Sequence, residues 1–361
     1  MSIDIGIIGL PQSGKTTIFN ALTGGKADTA TRAADGLAPH VAVVKVPEPR
    51  LWVLNDMFHP RKVVPVEAKY LDISASIKGL AEDKGFGGQL LNQLSQVDTL
   101  IGVVSAFGDD SPDAGKDIEA LSLELAFSDL AMLERRLERI ENSLKGARPA
   151  ERQGMLREIE IVRKFQVGLE QDTPIRCLSP DPAEAKIIAN FQFLTAKPLL
   201  LVANIGEAEL PRAAEIEAEL NSRYAGDRCR VIALCGKLEM ELAQMDENEA
   251  KEFREDYGLK EPGLARAIKA SYELSEMISF FTVGEDEVRA WPIRKGTPAV
   301  KAAGKIHTDM EKGFIRAENV GYEDLVKCGG LPEARQQGLL RLEGKEYIVQ
   351  DGDVLTFLFN V

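Results

Sequence analysis

The chain has 361 residues, more than one hydrophobic core usually serves, which suits two or three domains. Its four cysteines lie far apart without a Cys-x-x-Cys pair, and only three histidines are available to complete a metal cluster, so the pattern favours isolated thiols in a reducing cytosol over a disulfide framework or structural metal. The formal net charge of −13 repels nucleic acid at long range, so contact with RNA requires a local basic surface.

The chain carries no signal for a membrane. No apolar run reaches the roughly 18 residues needed to cross a bilayer. The start, Ser2 to Leu10, contains Asp4 and has neither a basic region before it nor a cleavage site after it. We therefore expect a cytoplasmic protein with no membrane partner and, by default, a monomer.

Short runs rich in β-branched residues alternate with helical patterns along much of the chain. They are Ile3–Ile8, Val41–Val46, Val63–Asp72, Leu100–Val104, Leu199–Ala203 and Arg230–Leu234. This spacing predicts βαβ units and an α/β domain with a mainly parallel sheet.

Two long amphipathic helices interrupt this pattern. Apolar residues recur at steps of three and four from Leu123 to Leu144 and again from Met155 to Leu169, and Gly146–Pro149 separates the two stripes. The pattern predicts an inserted antiparallel helical hairpin, after which the sheet resumes at Leu199.

The remaining chain predicts a small α+β domain. Strand-like alternation marks Ser279–Val283, Val288–Ile293, Phe314–Val320, Tyr347–Val349 and Leu355–Phe359, with a short helical piece at Tyr322–Lys327.

A phosphate-binding motif follows the first predicted strand. The segment Gly9–Thr16 fits G-x-x-x-x-G-K-[ST] and precedes a predicted helix, Thr17–Leu22. Glycines let main-chain N–H groups converge on an anion at a helix N-terminus. We predict phosphate contacts from Leu10, Pro11, Gln12, Ser13, Gly14, Lys15, Thr16 and Thr17.

Two of these positions suggest the metal. The Thr16 hydroxyl is predicted to ligate Mg²⁺, and Asp72, at the end of a predicted strand, to hold the ion through water. An aspartate that ends a strand is also a common turn residue, so the second assignment has an ordinary alternative.

The base site is predicted at Asn204-Ile205-Gly206-Glu207, where guanine-specific relatives carry Asn-Lys-x-Asp. A glutamate cannot keep the bidentate pose of aspartate on guanine, which favours ATP over GTP. Cys235, Gly236 and Lys237 follow the next strand and form either a second base-lining loop or an ordinary strand-to-helix turn.

Further motifs extend along the whole chain. They are Phe19-Asn-Ala-Leu-Thr23, Val46-Pro-Glu-Pro-Arg-Leu51, Asn204-x-x-Glu207, Lys237-Leu-Glu239, Glu287-Val-Arg-Ala-Trp291, Ala302-Ala-Gly-Lys-Ile-His-Thr308, Glu311-Lys-Gly-Phe-Ile-Arg-Ala-Glu318 and Gln350-Asp-Gly-Asp-Val354. With the phosphate motif, this ordered set resembles the Obg-like ATPases, the YchF family of translation-factor-type P-loop proteins.

The resemblance implies a fold and a function. It implies a nucleotide-binding G domain over residues 1–116 and 197–277, a helical hairpin over 117–196 and a β-grasp TGS domain over 278–361. It also implies an ATP-preferring switch that associates with ribosomes.

The chain departs from the family pattern at its switches. Gly36 stands where the first switch carries a γ-phosphate-sensing threonine, which Thr29 or Thr31 could replace only with a different loop fold. The second switch has Ala75 in place of glycine and Ser76 where related GTPases place glutamine. Gly102 also stands where the family tends to carry histidine. These changes predict slow or absent hydrolysis with nucleotide binding retained.

Three alternatives remain open on sequence alone: a nucleotide-bound scaffold without hydrolysis, a GTP-using regulatory GTPase, and a small-molecule kinase. For the ribosome, whether RNA or protein, we predict a basic surface near Trp291. It consists of Arg289, Arg294, Lys295, Lys301 and Lys305. Because Glu285, Asp286 and Glu287 lie close by in the chain, an ordinary solvated rim is the competing interpretation.

Overall fold

The structure is a computed structural model that describes residues 3–24, 40–73, 86–107, 113–259 and 261–360. The switch positions Thr29, Thr31, Gly36, Ala75 and Ser76 lie outside these ranges.

The described strands are β1 (Ile3–Gly9), β2 (His40–Lys45), β3 (Lys62–Val64), β4 (Glu67–Asp72), β5 (Thr99–Ala106), β6 (Leu199–Ile205), β7 (Cys229–Leu234), β8 (Met277–Thr282), β9 (Glu287–Arg294), β10 (Phe314–Gly321), β11 (Arg341–Glu343) and β12 (Asp353–Phe359). The described α-helices are α1 (Lys15–Leu22), α2 (Pro49–Phe58), α3 (Phe86–Gln96), α4 (Ala114–Leu144), α5 (Pro149–Glu170), α6 (Pro182–Ile188), α7 (Ala213–Tyr224), α8 (Gly236–Leu242), α9 (Glu247–Asp256), α10 (Gly263–Leu274), α11 (Ala299–Ile306), α12 (Thr308–Lys312), α13 (Tyr322–Cys328) and α14 (Leu331–Gln336).

The first sheet has the strand order β2-β4-β1-β5-β6-β7. The pairs β1–β5, β5–β6 and β6–β7 are parallel, which confirms the α/β prediction. These strands are near-continuous apolar runs because helices cover both faces of such a sheet. Parallel pairing brings the carboxyl ends of β1 and β5 together, with Gly9 opposite Val103.

The predicted helical hairpin is confirmed as α4 and α5. Helix α4 ends at Leu144 and α5 begins at Pro149, which occupies the first helical turn, where its missing N–H costs nothing. Leu133 of α4 and Phe165 of α5 belong to one buried apolar cluster. No helix in the described part of the chain is long and apolar enough to span a bilayer.

The second sheet belongs to the predicted α+β region and has the order β11-β10-β12-β8-β9-β3. Its pairs β10–β11, β10–β12 and β8–β9 are antiparallel, whereas β12–β8 and β3–β9 are parallel. Phe280, Phe314 and Phe357 lie in the apolar core against its helices.

Contacts divide the chain into two compact units. One combines Val43–Lys69 with Ser275–Val361, and the other combines Asp4–Ala42 with Tyr70–Leu274. Residues between the two predicted switches are therefore part of the C-terminal unit. The three-domain boundaries proposed from the sequence stay a prediction.

Two predicted strands differ from the structure. The run Val63–Asp72 is two strands, β3 and β4, which belong to different sheets. Pro65 lies in the break between them and cannot donate a main-chain hydrogen bond, so it ends the first strand.

The strand prediction for Tyr347–Val349 was wrong. The segment bonds to the approach to α11 and not to a sheet strand, because Ala299 N donates to Tyr347 O at 2.7 Å and Val349 N donates to Thr297 O at 3.1 Å. The edge strand of this sheet is instead β11.

Candidate nucleotide-binding site

The turn between β1 and α1 has the conformation that the phosphate motif requires. Gln12 and Gly14 have left-handed backbones, with φ of 66° and 85°. Left-handed residues in alternation with ordinary ones point consecutive N–H groups into one concavity. Gly14 precedes α1 and no side chain caps the helix, so the first amides of α1 are not consumed by a local cap.

Glycine is required at position 14 for a second reason. A Cβ there would overlap the side-chain nitrogen of Asn204. The turn is thus shaped both by its own dihedral angles and by a residue 190 positions further along the chain.

Lys15 connects this turn to the end of β4. Its Nζ donates to the carbonyl of Ile73 at 2.8 Å, and the neighbouring Asp72 carboxylate is buried. Burial lowers the pKa of Lys15, and the charge of Asp72 opposes that shift. The structure therefore brings together two of the predicted site residues that lie 57 positions apart.

The residues present fit a polyphosphate with a divalent cation. Ser13 Oγ is buried and has no hydrogen-bond partner among the described residues, although it lies in the amide-lined turn. Thr16 is exposed, and Asp72 is 1% exposed. A hydroxyl and a carboxylate are the hard oxygen donors that Mg²⁺ prefers. No cluster of three or more His, Cys, Asp or Glu side chains suited to a metal occurs within the ranges described.

Asn204 ties three segments of the site together. Its Nδ2 donates to Ser13 O at 3.1 Å, and its Oδ1 accepts from Gly236 N at 2.9 Å. The side chain is 5% exposed and both ends of its amide are engaged. Asn204 therefore holds the phosphate turn against the two predicted base loops.

The other predicted base residues divide into buried and exposed pairs. Ile205 and Cys235 are 1% and 3% exposed, so their side chains pack in the core and offer no free surface to a base. Burial raises the pKa of the Cys235 thiol. Glu207 and Lys237 are exposed and form an ion pair, with Nζ and Oε1 2.8 Å apart. That bond raises the pKa of Lys237.

Sequence reasoning missed Phe107 at this site. The residue follows β5 directly and its side chain is 37% exposed. Its ring reaches within 3.8 Å of a Cβ built on Gly14, and its own Cβ lies 3.6 Å from one built on Gly206. The signal available in the sequence was an aromatic residue just past the carboxyl end of β5, the strand that pairs with β6.

Glu239, which the sequence shows only as the end of the motif Lys237-Leu-Glu239, has a structural role. Its Oε1 accepts from Gly263 N at 2.7 Å and its Oε2 from Leu264 N at 3.3 Å. These amides open α10, so the carboxylate caps that helix and interacts favourably with its dipole. Burial raises the pKa of Glu239 and the amide bonds oppose the shift.

The site combines a parallel sheet, an amide-lined strand-to-helix turn, a lysine beside an acidic strand end, and an asparagine that holds the turn in place. This combination defines the class of P-loop nucleoside triphosphatases. A family model described as "50S ribosome-binding GTPase" matches residues 4–129. A second, YchF-GTPase_C, described as "Protein of unknown function (DUF933)", matches residues 277–360.

Full-length relatives make the assignment narrower. The chain is 40% identical to the "Ribosome-binding ATPase YchF" of Bacillus subtilis and 36% identical to that of Escherichia coli O157:H7, with 100% of each chain covered. It is also similar to the solved structure of the Schizosaccharomyces pombe YchF GTPase, with a TM-score of 0.84, 30% identity, and 99% and 98% of the two chains covered. The chain belongs to the YchF family.

Proposed function

We propose that this chain binds ATP with Mg²⁺ in the turn Leu10–Thr17 and works as a slowly hydrolysing switch that associates with ribosomes. The observation that carries the proposal is the contact from Lys15 to the end of β4 across an amide-lined turn. Such a turn with its lysine is a preformed cradle for a polyphosphate.

On the phosphate side, this chain's own groups have separate tasks. Lys15 and the first amides of α1 hold the phosphate oxygens, and the bond from Lys15 to Ile73 O keeps the ammonium in place. Thr16 and Asp72 are the residues that would hold Mg²⁺. When bound, Mg²⁺ neutralises charge on the phosphate oxygens and fixes their orientation.

On the base side, the ion pair of Glu207 with Lys237 supports ATP. A guanine-reading carboxylate must accept from two donors on the base, but this one already accepts from an ammonium 2.8 Å away. Adenine has a single exocyclic donor on that edge and makes a smaller demand. Phe107 supplies an exposed aromatic surface beside Gly14 and Gly206 on which a base can stack.

Slow hydrolysis is supported by positions whose residues lack the side-chain groups that related enzymes use. Gly36 has no hydroxyl to sense the γ-phosphate, and Ser76 is shorter than the glutamine that orients water in related GTPases. At Gly102, where the family pattern has histidine, a Cβ would lie 2.5 Å from a side-chain methyl of Leu121 in α4, so a side chain there would require Leu121 to move. A scaffold that never hydrolyses is the extreme form of the same proposal.

Ribosome association is supported by the relatives, which are named ribosome-binding ATPases. The basic surface predicted for this role is partly neutralised within the chain. Arg289 lies 4.0 Å above the Trp291 ring and 3.7 Å from Glu287, and Lys301 pairs with Glu311 at 2.6 Å. Of the predicted five, Lys295 is exposed and is the position to change first.

Calorimetry of ATP, ADP and GTP with Mg²⁺ tests the nucleotide part. We expect ATP to bind at least about tenfold more tightly than GTP and Lys15→Ala to abolish measurable binding. Single-turnover assays then separate the switch from the scaffold, because only the switch releases phosphate in a Lys15-dependent manner. Failure of every nucleoside triphosphate to bind would refute the proposal.

Cosedimentation with ribosomes in rising salt tests the partner. We expect binding that weakens with salt, and weaker binding of Lys295→Glu than of the unchanged protein. Absence of cosedimentation at low salt would reject ribosome association without affecting the nucleotide proposal.

A regulatory GTPase is the second candidate function, favoured by the description of the family model that matches residues 4–129. Its signature in the same calorimetry is a tenfold preference for GTP. That result would overturn the argument from Glu207 and Lys237.

A further inference from the structure

A cavity of about 540 Å³ lies at the base of the helical hairpin, away from the phosphate turn. Its walls come from α4, the end of α5, the segment after α5, the end of α7 with the turn after it, and the first residues of β6 and β7. Leu199 and Cys229, which begin β6 and β7, line it, whereas Asn204 and Gly236 lie at or beyond the carboxyl ends of these strands. The cavity is therefore at the opposite edge of the sheet from the nucleotide site.

The lining combines apolar side chains with two arginines, Arg176 and Arg223. The apolar part includes Ile118, Leu123, Leu125, Leu169, Leu199 and Leu201. Arg223 lies 3.8 Å from Glu119 and over the Tyr224 ring, so it has a carboxylate partner. Arg176 is only partly exposed and lies in the 3₁₀ turn Ile175–Cys177. The volume of the cavity is within the roughly 300–1,000 Å³ typical of small-molecule sites, and such sites are mostly apolar with a few placed polar groups.

Arg176 has no carboxylate partner in the part of the chain that the structure describes. Among the described residues no acidic oxygen lies within 4.0 Å of its guanidinium, its Nη1 donates to Thr195 O at 3.2 Å, and its buried Nε has no hydrogen-bond partner. Arg228 has the same arrangement at the residue after Thr195. Its Nη1 donates to Ala196 O at 3.3 Å, and its buried Nε has no hydrogen-bond partner among the described residues. Two guanidinium groups thus lie near one short segment.

The acidic side chains near Arg176 already accept hydrogen bonds from other groups or are exposed to solvent. Asp129 accepts from Leu194 N at 3.0 Å and from Thr195 N and Oγ1 at 2.7 Å each. Glu119 accepts from Tyr224 at 3.0 Å. Asp172 at the rim is exposed. Among the described residues, no carboxylate therefore contacts Arg176 directly. Burial lowers the pKa of Arg176, and the charge of Asp129 opposes that shift only in part.

A desolvated cation without a counter-ion is costly, and an anion placed beside it relieves that cost with charge-assisted hydrogen bonds. We propose that this cavity is a second ligand site, which binds a small organic anion by its acidic group on Arg176 and its hydrocarbon body against Ile118, Leu169 and Leu201. The site is independent of the nucleotide function proposed above.

Two cysteines provide an internal test. Cys177 is exposed and lines the cavity, whereas Cys328 is partly exposed and belongs to the other compact unit. Native-state alkylation with iodoacetamide, followed by peptide mass spectrometry, measures both rates in one sample. The probe is octanoate, titrated to about 3 mM, which keeps the octanol control in solution and detects dissociation constants near 1 mM or below. Octanol is the neutral control.

We expect octanoate to slow alkylation of Cys177 at least threefold while the rate at Cys328 does not change. Octanol at equal concentration should have less than half that effect on Cys177. In Arg176→Met the protection by octanoate should disappear, and Arg176→Lys, which keeps the charge, should retain part of it. Each variant is compared with itself with and without octanoate, because the substitution adjoins Cys177.

Protection that persists in Arg176→Met, or equal protection by octanol, would overturn the assignment of the acidic group to Arg176. Calorimetry of octanoate and octanol on the unchanged protein gives a test that does not depend on a variant folding, and equal or no binding of the two would reject the site. MgATP affinity of Arg176→Met should match that of the unchanged protein, so failure here is distinguishable from failure of the nucleotide proposal.

Discussion

Arg50 and Asp351 form a two-point ion pair across 301 positions of the chain, with Nη1–Oδ2 at 2.7 Å and Nη2–Oδ1 at 3.2 Å. Arg50 also binds both oxygens of Glu48 at 2.7 Å and lies 5.2 Å from the centre of the Phe281 ring. Asp351 in turn accepts from Ser279 N at 2.9 Å. Two motifs that the sequence shows only as separate strings, Val46–Leu51 and Gln350–Val354, are thus one interacting structure within the C-terminal unit.

Arg50→Met should destabilise that unit by about 1–2 kcal/mol, since paired, partly buried guanidinium bonds contribute more than an exposed pair. Both tryptophans of the chain, Trp52 and Trp291, belong to this unit, so tryptophan fluorescence during urea unfolding reports on it selectively.

Arg61→Met is the matched control, because Arg61 pairs with Asp286 at 3.2 Å but both side chains are at least 85% exposed. It should change the unfolding free energy by less than about 0.5 kcal/mol. Equal effects of the two substitutions would contradict the account of Arg50.

Asn204→Ala should lower MgATP affinity by about tenfold or more, because it releases the phosphate turn at Ser13 O and the second base loop at Gly236 N together. Calorimetry measures the change. Asn221 is a suitable control: it also bridges two segments, donating to Val231 O at 2.7 Å and accepting from Val231 N at 2.9 Å, but lies outside the site. Asn221→Ala should reduce stability and leave affinity unchanged; a similar loss of affinity in both variants would point to general destabilisation.

Lys237→Met should reduce the preference for ATP over GTP by about three- to tenfold, since Glu207 loses its 2.8 Å partner and becomes available to a base. Competition binding gives the ratio directly. Lys251→Met removes an equally exposed lysine from a 3.9 Å pair with Glu255 and should leave the ratio unchanged. An unaltered ratio in Lys237→Met would show that the ion pair does not set base choice.

The sequence predicted those parts of the fold whose signals are local. The stripe ending at Leu144 and the proline at 149 fixed the hairpin, and the glycines and Lys15 marked the phosphate turn. It failed where long-range contacts decide. No local signal places Lys62–Val64 in a sheet formed mostly by residues beyond Met277. None shows that Arg50 pairs with Asp351 or that both ends of the Asn204 amide are hydrogen-bonded.

Asp129 gives a pH prediction for the unit that contains the hairpin. Burial raises its pKa from 3.8 to about 6, although bonds from Thr195 and Leu194 oppose the shift. Because the folded state holds this proton more tightly than the unfolded state, the group adds stability that is fully present below pH 3.8 and is lost as the pH rises through about 6. Asp129→Asn cannot titrate and also loses an acceptor for one of the two amides.

The stability advantage of the unchanged protein over Asp129→Asn should therefore grow as the pH falls from 7 to about 4. Urea unfolding followed by circular dichroism at the helical band measures this difference, and other titrating groups cancel because both proteins share them. A difference that stays constant over this interval would mean that Asp129 ionises with its ordinary pKa, and that its three hydrogen bonds offset the effect of its burial.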